Sequence, residues 1–507
     1  MNTYWNNMKN LSNITITTNG DKSYKSSLNG LMDMMFKAGV MHNSTSNEIA
    51  KIFIPAWQEN PLWAIRLLFY IRDIRKGQGC KLFFRETLSE LSKYVPHVVS
   101  AIIKYIPEYG SWNDVFILLS TNPNKEVTEK IFEEINSQLN NDLKNMKENK
   151  PISLLMKWMP SENTSSQKTK NLATKVRLAL NFSAKNYRKM LSAGRKYLNI
   201  VEHHISQKTY DKIDYSIVPS KAMQKYTKCF IKNDEEHFKS FLNDIATKKT
   251  KVNAGTLYPH DIIKKLTNNT GILKNFNIND KVKLLMEEWN ALPDFFKNRS
   301  DNSIVVADVS GSMTGLPMCI CISLALYIAQ RNSGNFHNKF ITFSETPHLL
   351  EVKGENLLEN IYAISHAPWG FSTNLDAVFQ LLYDAITPET KKDIPTAIYI
   401  ISDMQFNNCM TNTQKTVFEK WQKGFENKGV KLPTVIFWNV SEFNSNTIPI
   451  TINNTGSIVI SGFSPSIINY LMSEDITNTI QLIKNIVYSN RYKNILSEDF
   501  NFNKISL

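Results

Sequence analysis

The stretch SIVVADVSGSM (303–313) decides the fold of the C-terminal half of this 507-residue chain. Its first part, SIVVA (303–307), is short and β-branched, which predicts a buried strand of a parallel sheet. DVSGSM (308–313) then places oxygen-bearing side chains at alternate positions, and the apolar LPMCICISLALYIAQ (316–330) predicts a buried helix. Oxygen ligands at a strand-to-helix turn indicate a site for a hard cation.

The alternation of strands and helices continues toward the C-terminus. Further predicted strands are KFITFS (339–344), TAIYIISD (396–403), PTVIFWNV (433–440) and SIVISG (457–462), with helices near 374–386 and 413–427. This pattern predicts an α/β, Rossmann-like domain with a mostly parallel sheet and helices on both faces. Ligands of such sheets bind at the carboxyl ends of the strands.

Five residues at this predicted edge form a candidate metal site. Asp308 and Asp403 each end a predicted strand, and WGFSTNLDAVF (369–379) places Thr373 in a turn before a helix. The predicted ligands are Asp308, Ser310, Ser312, Thr373 and Asp403. Their oxygens suit Mg²⁺ or Mn²⁺ and leave one position for a partner's oxygen. The alternative is that the hydroxyls only cap a helix and the aspartate fixes a turn.

The N-terminal half has a different pattern. Apolar residues recur at helical spacing from about 30 to 295, as in segments 62–74, 80–95 and 127–143. Because these helices lack a fixed sequence period, they indicate an irregular, HEAT-like α-solenoid. The polar SENTSSQKTK (161–170) predicts a flexible loop, and FFKNRSDNS (295–303) predicts a linker between two separately folding units. The predicted divisions are an N-terminal extension (1–28), an α-helical repeat domain (29–295), an α/β domain (303–490) and a C-terminal tail (491–507).

Charge is unevenly distributed along the chain. Residues 1–300 hold 45 Lys and Arg against 28 Asp and Glu, and residues 301–507 hold 14 against 18. Residues 151–200 contain ten cations and a single acid, Glu162. This excess indicates either a polyanion partner or a solvated helical face. The predicted nucleic-acid-binding residues are Lys185, Arg188, Lys189, Arg195, Lys196, Arg72, Arg75 and Lys76, and the candidates for base stacking are Trp158, Tyr187 and Tyr197.

Several other functional classes are excluded by the sequence. RKGQGCK (75–81) lacks the Gly-Lys-Ser/Thr of a phosphate-binding loop and follows a predicted helix, so we interpret Gly77 and Gly79 as part of an interhelical turn. No nucleophile, base and orienting residue form a catalytic set, which predicts a non-enzymatic protein. The first thirty residues contain no signal-peptide core, and no segment is apolar enough for a membrane span. Five scattered cysteines fit a reducing, cytoplasmic location.

The five candidate ligands resemble the metal-ion-dependent adhesion site of von Willebrand factor A domains. That pattern is Asp-x-Ser-x-Ser, then a distant Thr and a distant Asp, and it is matched by DVSGS (308–312), Thr373 and Asp403. The resemblance implies one Mg²⁺ or Mn²⁺, completed by an acidic residue of a partner.

The helical half is similar to the DUF2828 family of plants, fungi and large DNA viruses. The similarity rests on NGLMDMMFKAG (29–39), RDIRKGQGCKLFFRETL (72–88), EYGSWNDVFILL (108–119) and AKNYRKMLSAGRKYLNIVE (184–202). Members join such a region to a von Willebrand A domain, which implies that the resemblance covers nearly the whole chain. A more distant similarity, to the Ro ribonucleoprotein and its TROVE module, implies a helical ring that binds small or misfolded RNAs.

Two functions remain open from the sequence. The first is Ro-like binding of single-stranded or misfolded RNA by the basic helical half. The second is a protein-interaction scaffold, part of a viral particle or assembly, whose metal is completed by an acidic protein ligand. Both predict no membrane partner and a location in the cytoplasm, or in the host cytoplasm or virion for a viral protein. Neither fixes the oligomeric state.

Overall fold

The structure, a computed structural model, describes residues 8–9, 11–274, 277–297, 302–343, 345–367, 373–407, 416–442, 447–471 and 476–502. Within these ranges an N-terminal helical region precedes a C-terminal α/β region, as the sequence predicts. The predicted linker lies partly outside the described residues, as do the start of the helix predicted near 413 and most of the turn before Thr373.

The helical region consists of successive α-helices. They are α1 (Gly30–Lys37), α2 (Ser46–Glu59), α3 (Pro61–Arg72), α4 (Lys81–Tyr94), α5 (Pro96–Ile102), α6 (Ile106–Tyr109), α7 (Trp112–Ser120), α8 (Lys125–Lys147), α9 (Leu155–Trp158), α10 (Gln167–Ala179), α11 (Ala184–Tyr197), α12 (Val201–Gln207), α13 (Ser220–Asn233), α14 (Glu235–Ala246), α15 (Pro259–Leu266) and α16 (Asp280–Asn290). The helices predicted over 62–74, 80–95 and 127–143 are confirmed as α3, α4 and α8. Ser166 caps α10 through a hydrogen bond from Thr169 N, so the predicted loop 161–170 ends earlier than expected.

Among the described residues, the C-terminal sheet has six strands. They are β3 (Ile304–Ala307), β4 (Lys339–Thr342), β5 (Leu349–Glu351), β6 (Ala397–Ser402), β7 (Thr434–Asn439) and β8 (Ser457–Ser461), in the order β5-β4-β3-β6-β7-β8. All neighbours are parallel except β5, which is antiparallel to β4. The accompanying helices are α17 (Leu316–Arg331), α18 (Leu357–Ser365), α19 (Leu375–Asp384), α20 (Val417–Asn427), α21 (Ile468–Leu471) and α22 (Thr479–Val487). The predicted strands are confirmed, whereas β5, α18, α21 and α22 were not predicted.

The side chains of the central strands alternate between two hydrophobic cores. In β3, Val305 and Ala307 pack in a core that also contains α17 and much of the helical region. Ile304 and Val306 point to the other face, where they pack with α19 and α20. This division arises because successive side chains along a strand point to opposite faces of the sheet. The two predicted units therefore meet through a continuous apolar core.

The N-terminal segment packs on the α/β region, which differs from the predicted extension 1–28. Strands β1 (Ile14–Ile16) and β2 (Lys22–Tyr24) form a hairpin, and Tyr24 exchanges backbone hydrogen bonds of 2.9 and 2.8 Å with Ile448. Helix α1 also differs from its predicted place in the helical domain. Met32 and Phe36 pack in the second core of the sheet, and Ser461 Oγ at the end of β8 donates a 2.9 Å hydrogen bond to Met35 O.

The C-terminal segment packs on the helical region and is not a free tail. The buried Arg66 of α3 donates hydrogen bonds to the carbonyls of Lys493, Ile495 and Leu496 and forms an ion pair with Glu498. Since residues 14–24 pack on the α/β region and residues 493–498 pack on α3, the two regions are interlocked. Contacts made by both of these segments therefore cross the predicted division at 295–303.

The turn predicted around Gly77 and Gly79 joins α3 to α4 and also contacts the sheet region. Ser466 Oγ donates a 3.0 Å hydrogen bond to Gly77 O, and Tyr258 Oη donates one of 2.8 Å to Gln78 O. Gly79 has a φ of +66°, and a Cβ there would collide with the Tyr258 hydroxyl. The glycines therefore serve close packing between elements.

Two buried histidines at this interface make stability depend on pH. His260 stacks on Tyr258 and packs at nearly a right angle to Phe463, while His42 stacks on Phe463. Burial lowers the pKa of His260 to about 3, although the adjacent Asp261 opposes the shift. Burial lowers the pKa of His42 as well.

We expect the His260→Phe variant to lose part of the acid sensitivity of the wild type. The folded-state pKa of His260 lies below the unfolded value, so its neutral form contributes fully above about pH 6.5 and loses that contribution as pH falls. Between pH 7.5 and pH 5 the loss is about 2 kcal/mol of the free energy of unfolding. Urea unfolding of both proteins at the two pH values measures it. An equal loss in the variant would contradict the assignment.

Candidate metal centre

Asp308 and Asp403 stand side by side because their strands are neighbours. β3 and β6 pair in parallel with Ala307 opposite Ile401, so the residues after each strand meet at the carboxyl edge of the sheet. Asp308 N donates a 3.0 Å hydrogen bond to Ile401 O, which extends the ladder to the site. Both aspartates are buried. The register of the sheet therefore brings the two carboxylates to the same edge, as the sequence predicts.

The strand-to-helix turn after β3 is organised by Asp308. Asp308 Oδ1 accepts a 3.0 Å hydrogen bond from Ser310 N, and Oδ2 accepts one of 2.5 Å from Ser402 Oγ. The hydroxyls of Ser310 and Ser312 lie 3.1 Å apart. Ser310 is buried and Ser312 is exposed, so the site is reached from solvent on the side of Ser312. The structure thus brings Asp308, Ser310, Ser312 and Asp403 together.

The two carboxylates repel each other when both are charged. Burial, followed by the charge of Asp403, raises the pKa of Asp308 to about 6. Burial raises the pKa of Asp403, and the nearby Ser312 hydroxyl opposes that shift. Two like charges at one buried edge repel each other, and a proton or a cation between them relieves that repulsion.

The residues fit a divalent cation. Asp403 is 1% exposed, and its Oδ2 accepts no hydrogen bond from any described residue. An ionised oxygen buried without a donor is costly, and a metal ion is a partner that removes this cost. Within the described ranges, no three His, Cys, Asp or Glu side chains come together to hold a metal. The oxygens at this edge belong to two carboxylates and to neighbouring hydroxyls, the types of ligand that hard cations prefer.

Thr373 lies at the same edge of the sheet but is held by the segment after Asp403. Its Oγ1 is 2.8 Å from Gln405 O and 2.9 Å from Asn407 Oδ1, and its carbonyl accepts a 3.1 Å hydrogen bond from Asn407 N. Asp403 Oδ1 in turn accepts a 3.1 Å hydrogen bond from Gln405 N. The segment 405–407 therefore joins Thr373 to Asp403.

Sequence reasoning missed two features of this centre. Ser402, which holds Asp308, directly precedes Asp403, and a hydroxyl at the end of an apolar strand was an available signal. The contacts of the N-terminal hairpin with residues 405–407 had no signal in the sequence, because they join positions almost 400 residues apart.

The predicted basic patch forms a face of α11. Lys185, Arg188, Lys189 and Lys196 are exposed, and their spacing places them on one side of the helix, opposite the buried Tyr187 and Leu191. None of these four cations forms an ion pair with a described residue. We call these four residues the α11 basic face.

Two of the predicted nucleic-acid contacts have structural partners instead. Arg195 donates hydrogen bonds to Met156 O, Met159 O and Ser161 Oγ and so ties α11 to α9. Arg72 is 2% exposed and ion-paired with Asp114, with 2.6 Å between its Nη2 and Oδ2. Both predictions are corrected for the same reason: a long cationic side chain next to free carbonyls or a buried carboxylate is satisfied inside the protein.

The remaining predicted contacts differ in exposure. Arg75 and Lys76 are exposed, and Arg75 Nη1 donates a 3.1 Å hydrogen bond to Glu108 O. Tyr187 is buried and donates to Pro160 O, which excludes it from base stacking. Tyr197 Oη donates to Lys150 O, and Trp158 is 38% exposed. Stacking candidates are thus reduced to Trp158 and the partly exposed Tyr197.

No helix in the described part of the chain is both long and apolar enough to cross a membrane.

Comparison with known proteins supports the family resemblance. Residues 17–137 and 173–300 match a domain of unknown function, DUF2828, and residues 302–498 match a second one, DUF7788. The uncharacterized protein L728 of Acanthamoeba polyphaga mimivirus is 30% identical to the chain over 512 residues, which cover 94% of this chain and 88% of that protein. The chain belongs to the DUF2828 family, with a C-terminal α/β region that matches DUF7788.

Proposed function

We propose that the chain is a non-enzymatic binding protein that holds one Mg²⁺ or Mn²⁺ at the edge of its sheet and RNA on its helical region. In this proposal the α/β region is a von Willebrand factor A-like domain, and the helical region is a HEAT-like array similar to that of Ro. The observation that supports the metal site best is the buried Oδ2 of Asp403, which accepts no hydrogen bond from any described residue and lies at the same edge as Asp308.

In this proposal the ligands are the five predicted residues. Asp308, Ser310, Ser312 and Asp403 already converge, and Thr373 is held beside them by residues 405–407. Mg²⁺ favours six oxygen ligands and retains water where protein ligands are missing. The exposed side near Ser312 is where water or a partner's oxygen would complete the shell.

Calorimetric titration with Mn²⁺ and Mg²⁺ tests the metal site. We expect one ion per wild-type chain and no measurable binding by Asp308→Ala, because that change removes both the ligand and the acceptor for Ser402 and Ser310 N. Asp384→Asn is the matched control, since Asp384 is an exposed carboxylate of the same region that contacts only Gln380 within the described residues. Equal binding by wild type and Asp308→Ala would end the proposal.

RNA is the partner that the α11 basic face favours. Four exposed cations that form no ion pair with a described residue give a surface that attracts phosphates, while Tyr187 of the same helix is buried. Binding should therefore depend on the backbone of the nucleic acid more than on its bases. Single-stranded or mispaired RNA fits this chemistry, because its flexible backbone can bring successive phosphates to neighbouring cations.

A protein scaffold is the second candidate, favoured by the exposure of Gly311, Ser312 and Thr314 around the metal site. A carboxylate of an acidic protein could reach the metal there. The absorbance ratio at 260 and 280 nm of purified protein, before and after a high-salt wash, separates the two. A high ratio that falls after the wash supports RNA, and a constant protein-like ratio supports the scaffold.

A further inference from the structure

The turn of the N-terminal hairpin, residues 17–20, contacts the segment that follows Asp403. Thr17 Oγ1 donates a 2.7 Å hydrogen bond to Phe406 O, and Thr18 N donates one of 2.8 Å to Gln405 Oε1. Asn19 Nδ2 donates a 2.7 Å hydrogen bond to Gln405 O, and Gly20 forms an antiparallel bridge with Asn407. We call residues 17–20 the N-terminal clamp.

The clamped segment has the proposed metal ligands on its other side. Gln405 N donates to Asp403 Oδ1, and Gln405 O and Asn407 Oδ1 both lie within hydrogen-bond distance of Thr373 Oγ1. Residues 405–407 are therefore held between the N-terminal clamp and two residues of the metal centre. Gln405 O is shared directly, because both Asn19 and Thr373 reach it.

We propose that the N-terminal clamp is a positioning element of the metal site, which sets cation affinity by fixing the orientation of Asp403 and the position of Thr373. This inference rests on the proposed metal site and adds a part of the chain to it that is nearly 400 residues distant in sequence. Within the described residues the clamp forms no hydrogen bond with a proposed ligand, so it acts through residues 405–407.

The physical reason is that a site for a small divalent cation needs its ligands at fixed distances. Loop residues keep such positions only when neighbouring groups restrict them, and loss of outer hydrogen-bond partners typically weakens metal binding by about 10- to 100-fold. Without the clamp, residues 405–407 lose three donors from the hairpin. Asp403 and Thr373 would then sample wider positions, and binding would have to order them.

The double variant Thr17→Val, Asn19→Ala tests the clamp in the full-length protein. It removes two side-chain donors and keeps the backbone contact of Thr18. We expect Mn²⁺ and Mg²⁺ affinity, measured by calorimetry, to fall about 10- to 100-fold. Hydrogen exchange of the metal-free protein should show faster exchange at the amides of Gln405 and Asn407, which donate to Asp403 and to Thr373 O.

Ser23→Ala is the matched control within the same hairpin. Ser23 is buried like Thr17, and its Oγ donates a 2.8 Å hydrogen bond to Ile448 O, outside residues 405–407. A purely structural role of the hairpin predicts that Ser23→Ala weakens metal binding as much as the double variant. The positioning role predicts that Ser23→Ala keeps the cation affinity of the wild type, even though it loses about as much thermal stability as the double variant.

The outcomes separate the clamp from the metal site itself. Wild-type protein that binds neither cation would refute both the proposed site and the role of the clamp. If the wild type binds the cations, two results would overturn the positioning role of the clamp and leave the proposed metal site intact. One is full cation affinity in the double variant, and the other is an equal loss of affinity in Ser23→Ala.

Discussion

Replacing the four residues of the α11 basic face with glutamate should lower affinity for single-stranded RNA at least about 100-fold at low salt. The change reverses four exposed charges that have no ion pair with a described residue, so attraction becomes repulsion at each position. For the wild type, the logarithm of the binding constant should fall with the logarithm of salt concentration by about 0.7 per phosphate neutralised. Filter binding at several salt concentrations measures both effects.

A matched control keeps the same change in net charge but moves it elsewhere. Lys391, Lys392, Lys423 and Lys431 are exposed on the α/β region, which is the slightly acidic half of the chain. Their replacement with glutamate should change RNA affinity by a small factor only. Equal losses in both quadruple variants would mean a response to total charge, and no RNA affinity in the wild type would favour the scaffold.

The nature of the RNA contact should also be visible in its sequence dependence. Because Tyr187 is buried, the α11 basic face can bind phosphates but provides few side chains on which bases could stack. We expect the affinities of RNA homopolymers of equal length to differ from one another by a smaller factor than the factor by which salt changes each affinity. Competition among homopolymers checks this, and a strong preference for one base would require a stacking site such as Trp158.

The sheet and the ligand pair could be predicted from the sequence because their signals are local. A buried parallel strand is a short apolar run, and its carboxyl end is the place where a functional residue stands, so Asp308 and Asp403 follow from β3 and β6. The short β5, with its exposed Leu349, lacks such a run. It could not be distinguished from a loop.

The placement of the termini could not be predicted, because it depends on contacts between distant positions. Nothing in the sequence of α1 distinguishes a helix beside β8 from one in the helical array, since both bury an apolar face. For the same reason, the sequence did not show which individual cations are exposed. Arg195 and Lys196 are neighbours in sequence, yet the lysine is exposed while Arg195 is partly buried, because Arg195 turns toward the carbonyls near α9.

The second large effect concerns Asp114, the buried partner of Arg72, which was predicted to bind nucleic acid. Asp114 Oδ2 accepts from Arg72 and from Ser111 Oγ, and its Oδ1 accepts a 2.6 Å hydrogen bond from Arg85 Nε. Burial alone would raise the pKa of Asp114, yet the two guanidinium groups hold it below its ordinary value. The carboxylate is therefore charged at neutral pH and balances two cations between α3, α4 and α7.

Asp114→Ala should lower the free energy of unfolding by about 3–5 kcal/mol, because it leaves the guanidinium of Arg72 buried without a counter-charge. Chemical denaturation of the wild type and the variant measures the loss. Glu129→Ala is the control: its partner Lys125 is 88% exposed and 3.7 Å away, so removing that pair should cause no measurable change. The double variant Asp114→Ala, Arg72→Met should recover part of the stability, since an apolar side chain at position 72 no longer needs a carboxylate. A single variant as stable as the wild type, or a double variant less stable than the single one, would show that the pair does not hold these three helices together.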